Sequence, residues 1–169
     1  MRLGTFLIAL SIQLFAQINI TSFQADFEQT ITNEQNKTLR YEGEIHFKAP
    51  DKLLWIYKKP IEKKIVIANG RIVIVEPELE QATIKKMKEK TLFALLKKAK
   101  KVDKNHYKLQ EKNKNFDIYF QKGVLKKVRY IDEFGNENEV VFANQRQNED
   151  LNDSIFSVEI DPDYDIIYQ

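Results

Sequence analysis

Between residues 39 and 48 the chain alternates strictly. Leu39, Tyr41, Gly43, Ile45 and Phe47 fall on one side, and Arg40, Glu42, Glu44, His46 and Lys48 on the other. A period of two belongs to a β-strand with one dry and one wet face. Pro50 cannot donate to a ladder and marks a corner. Beyond it a second arm carries the only tryptophan, Trp55, among Leu53, Leu54, Ile56 and Tyr57, and Pro60 ends that arm. The same period appears earlier, where Phe23, Ala25, Phe27, Gln29 and Ile31 alternate with Gln24, Asp26, Glu28 and Thr30.

Further on, two β-branched runs at 65–68 and 72–75 flank Asn69-Gly70, a strong hairpin signal. Their near-continuous apolar character predicts strands contacted on both faces. Residues 81–84 predict a short strand. The period then changes. Leu92, Leu95, Leu96, Ala99 and Val102 form one helical stripe, with Phe93 beside it, so a helix is predicted over 91–102 with Thr91 as its N-cap. Strand signals return at Tyr107 and Leu109, at Phe116, Ile118 and Phe120, and over 124–131 after Lys122-Gly123. They continue at 140–143 after the turn at 134–136, in the run 155–158, and over 165–168.

Short consecutive strands with tight turns predict an antiparallel meander of about ten strands, which must curl. Two closures fit: a core filled by side chains, as in a sandwich, or a half-barrel whose concave face the helix covers. The many aromatic residues favour the second, but the pattern leaves both open.

Composition narrows the function classes. The chain has 169 residues, 43% hydrophobic and 31% charged, with a net charge of +2 and no cysteine. That excludes disulfides, thiolate metal sites, a thiol nucleophile and a lipid-modified N-terminal cysteine. Near-neutral charge disfavours a nucleic-acid partner. Arg2 followed by an apolar run to Ala16 predicts a secretory signal peptide at 1–16, leaving one domain at 17–169 outside the cytoplasm.

Catalysis has little to stand on. His46 and His106 lack metal-ligand spacing and are read as surface residues, and no phosphate-loop, dinucleotide or G-x-S-x-G pattern occurs. Asp26 and Glu28 could form a carboxylate pair, but neighbours on a wet strand face are the ordinary reading. Asp161, Asp163 and Asp165 lack the glycine and terminal glutamate of a calcium loop. Lys85, Lys86, Lys88 and Lys90 precede the helix, and Lys97, Lys98, Lys100 and Lys101 end it. They either complement the helix dipole or form a basic collar for an anionic surface or partner.

Five collinear segments carry a family resemblance: ADFEQTIT from Ala25, GEIHFKAPDKLLWIYKKP from Gly43, PELEQATI from Pro77, IDEFGNENEVVF from Ile131 and IFSVEIDPDYDII from Ile155. In these the chain resembles LolA, the family of periplasmic carriers of outer-membrane lipoproteins. The resemblance implies a mainly β fold, an unclosed antiparallel half-barrel with a helical lid over an apolar cavity. It implies a monomeric, periplasmic carrier that uses no cofactor and is not an enzyme. Such a carrier receives acylated lipoproteins from an inner-membrane ABC transporter and hands them to an outer-membrane acceptor. A lipid-sensing envelope module of the same fold is the alternative. By the same resemblance Phe27, Leu53, Trp55, Phe93, Leu95 and Leu96 are expected at the cavity and lid. Phe47 and Ile74 are expected to complete the apolar wall, and Lys97, Lys98, Lys100 and Lys101 to meet a partner. In some members an arginine directly before the proline of the K-x-P block is thought to latch the lid; here Ala49 stands there. The N-terminal helix usual in the family is expected to be very short, because few residues lie between the signal peptide and Phe23.

Overall fold

Strand ladders account for most of the chain. The structure, a computed structural model, describes residues 18–169, and the predicted signal peptide lies outside the described residues. The order is β1 (Ser22–Thr32), β2 (Thr38–Lys48), β3 (Lys52–Lys59), β4 (Lys63–Ala68), β5 (Arg71–Glu76), β6 (Gln81–Lys86), α1 (Leu92–Leu95) and β7 (Lys100–Lys101). There follow β8 (His106–Glu111), β9 (Lys114–Gln121), β10 (Val124–Ile131), β11 (Glu137–Gln147) and β12 (Asp165–Tyr168). All the strands belong to one sheet in the order β12-β6-β5-β4-β3-β2-β1-β11-β10-β9-β8-β7. Its edge strands, β12 and β7, do not pair with each other, so the sheet is unclosed. This is the half-barrel rather than the sandwich.

Alternation decides which residues point inward. Phe23, Ala25 and Phe27 of β1 pair with Phe47, Ile45 and Gly43 of β2. Those continue into Leu53, Trp55 and Tyr57 of β3, and Trp55 continues into Ile65 and Ile74 of the next two strands. On the other side Phe27 and Gln29 oppose Phe142 and Val140 of β11, and Val140 opposes Val128 of β10. Leu39 shares this face, yet it is 58% exposed because the face runs past the end of the core.

Gly43 allows the inner face to close. The register of β2 against β3 shifts at Glu42/Gly43. A Cβ on Gly43 would sit 1.8 Å from the Ile56 carbonyl oxygen and 2.8 Å from the Phe27 ring. Any side chain here would push the β3 backbone and the ring away. At the β4–β5 turn, Asn69 and Gly70 both have positive φ, 51° and 71°, as a tight two-residue hairpin requires.

The outer face has its own small core. Leu54 and Val66 are covered by Leu151 and Phe156 from the segment after β11, so these strands are contacted on both sides. The run 155–158 is not a strand, as the sequence predicts, but ends a 3-10 turn, Asp153–Phe156. Asn152 caps it by accepting from the Ser154 N–H at 3.0 Å, and Phe156 is buried against the sheet. The meander is also not wholly antiparallel. After crossing the outer face the chain adds β12 parallel to β6.

The predicted helix is shorter than its stripe. Only Leu92–Leu95 is α-helical, followed by a 3-10 turn, Leu96–Lys98. Thr91 is the N-cap, its Oγ1 accepting from Ala94 N–H at 3.3 Å. The helix stops because Ala99 turns extended and Lys100–Lys101 pair with Tyr107 and Lys108 of β8. Sheet pairing overrides the helix propensity of the lysines, and Val102 is 55% exposed. Among the described residues before β1 there is no helix; Ile18 and Ile20 instead enter the inner core.

Candidate functional site: the inner face and its lid

The inner face has two unlike ends. At one, α1 and the turn after it lie over β1 and β2. The Phe93 ring stacks on Phe47 with centroids 4.8 Å apart and an interplanar angle of 19°. It also meets Phe23 at 5.2 Å. Leu95 and Leu96 are buried in the same cluster with Ile45 and Leu53. Each fully buried apolar side chain is worth about 1.5–3 kcal/mol, so the lid is held by apolar contact. Ala49 sits at this end, where its N–H donates to the Thr21 carbonyl at 2.8 Å.

At the other end the face is uncovered. An apolar groove of about 360 Å³ is lined by Ile31, Tyr41, Tyr57, Ile61, Ile65 and Leu79, with Gln29 on its wall. Leu79 is 65% exposed and Ile61 47%. Ile65 and its partner Ile74 are half-buried and stand outside the core cluster. Trp55 stands at the boundary, its ring 4.9 Å from Phe27 and 6.0 Å from Tyr57.

A short polar chain runs inward from the groove wall, where Gln29 and Tyr57 stand. The Tyr57 hydroxyl donates to Gln29 Oε1 at 3.0 Å, and Gln29 Nε2 donates to Asn138 Oδ1 at 3.0 Å. Burial pushes the Tyr57 phenol well above its ordinary value, with Tyr130 and Tyr41 adding to the effect. Burial likewise raises Tyr130. Both stay neutral over any ordinary pH.

All eight predicted cavity residues lie on this face or its lid, but they do different things. Phe27, Phe47, Leu53, Phe93, Leu95 and Leu96 pack against one another as core. Trp55 and Ile74 are half-buried, Trp55 packed against that core and Ile74 outside it, and neither lines the groove. Sequence reasoning passed over Ile61, Ile65, Leu79 and Gln29 as groove residues. Gln29 carried a signal, being an amide at an inward position of a strand that is otherwise apolar there. The predicted contact lysines, Lys97, Lys98, Lys100 and Lys101, are all exposed beside the lid, and Lys98 reaches Glu111 at 3.3 Å.

The weaker chemical candidates resolve into ordinary contacts. Asp26 accepts from Asn144 Nδ2 at 2.6 Å, and Glu28 lies 3.6 Å from Arg40. His106 Nε2 is 2.6 Å from Asp117 Oδ1, and its ring stacks on Tyr119. His46 lies half-buried on the outer face, where burial lowers its pKa. Among the described residues no group of three His, Cys, Asp or Glu could hold a metal ion.

Comparison with known proteins bears on this arrangement. A family model described as outer membrane lipoprotein carrier protein LolA matches residues 18–159. An outer-membrane lipoprotein carrier protein from Wolinella succinogenes is 35% identical over 161 residues, covering 94% of each chain. One from Helicobacter pylori is 35% identical over 139 residues, covering 82% of this chain and 74% of that protein. Among solved structures, a conserved protein from Thermus thermophilus superposes with a TM-score of 0.56 over 88% of this chain and 91% of that one. At 10% identity it shows a shared fold alone.

Proposed function

The chain belongs to the LolA family of outer membrane lipoprotein carrier proteins, and we propose that it shields the acyl chains of a lipoprotein in transit across the periplasm. It is a carrier rather than an enzyme. A signal peptide at 1–16 exports it, and residues 17–169 act as one monomeric domain. The chain takes its cargo from an inner-membrane ABC transporter and gives it to an outer-membrane acceptor, with Lys97, Lys98, Lys100 and Lys101 offered to one of them.

The observation that carries this reading is the open apolar groove continuing from an apolar lid. Hiding an acyl chain from water is worth about 0.8 kcal/mol per methylene. A soluble carrier therefore needs an apolar wall, and Ile31, Ile61, Ile65 and Leu79 supply one that stands outside the packed cluster. Release demands that the cover can move. A lid of one helical turn, held by side-chain packing, meets that demand better than a rigid closed barrel. Phe27, Phe47, Leu53, Trp55, Phe93, Leu95 and Leu96 line the continuation of the path when the lid lifts.

The test uses inner-membrane vesicles bearing a tagged acylated lipoprotein and energised with ATP. Adding the purified protein is expected to yield a soluble one-to-one complex. Ile65→Glu, which places a charge on the groove wall, is expected to abolish release while the circular-dichroism spectrum stays β-rich. Release unchanged by that substitution, or no release by the wild-type protein, overturns the proposal.

A further inference from the structure

Hydrogen-bonding capacity is left over at one place on the inner face. Gln29 is 5% exposed and Asn138 4%, and the direction of their amides is fixed from outside. Asp132 is an acceptor only, so Asn138 presents its nitrogen there, donating at 3.3 Å, and also to the Asn136 carbonyl at 3.2 Å. Its oxygen therefore faces Gln29, which must answer with its own nitrogen and turn its oxygen to Tyr57. An amide nitrogen carries two hydrogens. One N–H of Gln29 is spent on Asn138, and Gln29 itself lines the groove, which leaves the second for an acceptor there. Trp55 stands at the inner boundary of the groove without lining it, its ring 6.0 Å from that of Tyr57. Its indole Nε1 is buried and has no hydrogen-bond partner among the described residues. Buried donors without acceptors are costly and uncommon.

We propose that Gln29 and Trp55 form a carbonyl-binding station for the acyl ligand. Gln29 Nε2 and Trp55 Nε1 donate to the carbonyl oxygens of ester-linked chains, and Tyr57 holds Gln29 in place. The assignment rests on the carrier reading and names what the groove recognises: the ester linkage as well as the hydrocarbon. The mouth of the groove agrees with a neutral head. Glu62, Glu76 and Glu78 line it with one cation, Lys63, which already lies 2.8 Å from Glu76. A free fatty acid would bring its carboxylate against these groups; an ester brings two acceptors and no charge.

The experiment is calorimetric titration of the purified protein with three probes of equal chain length. These are a short-chain diacylglyceryl-cysteine peptide, its dialkyl ether analogue lacking both carbonyls, and the free fatty acid. The ester probe is expected to bind about tenfold more tightly than the ether, equivalent to about 1.4 kcal/mol, with the fatty acid weakest. Gln29→Leu and Trp55→Phe are each expected to lower the ester-to-ether ratio toward one. A purely structural role would weaken both probes alike and leave the ratio unchanged, which would overturn the station. A wild-type ratio near one overturns it without any variant, so the test stands even where a variant fails to fold. If neither glyceryl probe binds at all, the carrier reading itself falls.

Discussion

The two ends of the inner face are built from the same kinds of residue and put to opposite use. Under the lid, Phe23, Phe47 and Phe93 meet ring to ring, and Phe47 is 1% exposed. At the far end Tyr41 and Tyr57 also meet ring to ring, at 5.6 Å, but Ile65 and Ile74 nearby stand outside the packed cluster. The sheet runs through both ends without a break, so the difference lies in what covers it. Apolar surface that the fold covers is stability; apolar surface that it leaves bare is available to a ligand. A carrier needs both, since a wholly filled barrel has no room and a wholly bare one has no core.

This contrast is broken most directly by truncating matched residues. Phe47→Ala removes a ring from the packed end and is expected to cost about 3–5 kcal/mol, read by urea denaturation. Gly43→Ala lies where the two ends meet, its new methyl driven into the Ile56 carbonyl. It is expected to cost about 1–3 kcal/mol by overpacking and to loosen the contact with Phe27. Ile65→Ala at the bare end should cost about 1 kcal/mol or less, since only part of the side chain leaves water on folding, yet weaken binding of an acyl lipopeptide. An Ile65→Ala loss as large as that of Phe47→Ala would show that the far end is core after all.

The strands were legible in sequence because burial on one side leaves a period of two in the residues themselves, as in β1 and β2. What was not legible came from contacts between distant segments. Lys97–Lys101 favour a helix locally, and only pairing with Tyr107 and Lys108 pulls the end of that run into the sheet. Ile155 and Phe156 look like a strand, but Asn152 and Ser154 form a capped turn that aims Phe156 at Leu54 and Val66. For the site, the sequence located the apolar face but could not say which part is filled. Phe47 and Ile74 look alike as inward residues, and the lid, whose landing place no local pattern encodes, separates them. Gln29 was visible as an inward amide, but its value depends on Asn138 and Asp132, more than a hundred residues away.

The smallest effect concerns the back of the packed end. The segment crossing the outer face is clipped to the β2–β3 hairpin by Asp153, whose carboxylate lies 2.8 Å from both Lys48 and Lys52. Lys48 also donates to the Leu151 carbonyl at 2.6 Å. The two ammonium groups, Lys48 first, hold the Asp153 carboxyl down at about 2, below its ordinary 3.8. A depressed carboxyl stabilises the fold above its unfolded value, and the contribution is lost as pH falls through the folded one. The clip is therefore whole above about pH 4 and gone below about pH 2. Because the group is exposed, salt should screen much of the effect. Carboxyl NMR is expected to give a midpoint for Asp153 near 2 at low salt, moving upward in Lys52→Met and on adding salt. Backbone signals of Leu151 and Phe156 should shift with that titration, while those of Ile65 and Tyr57 stay still. A midpoint at the ordinary aspartate value would mean that no clip forms, and a response at Ile65 would mean that the two ends are not independent.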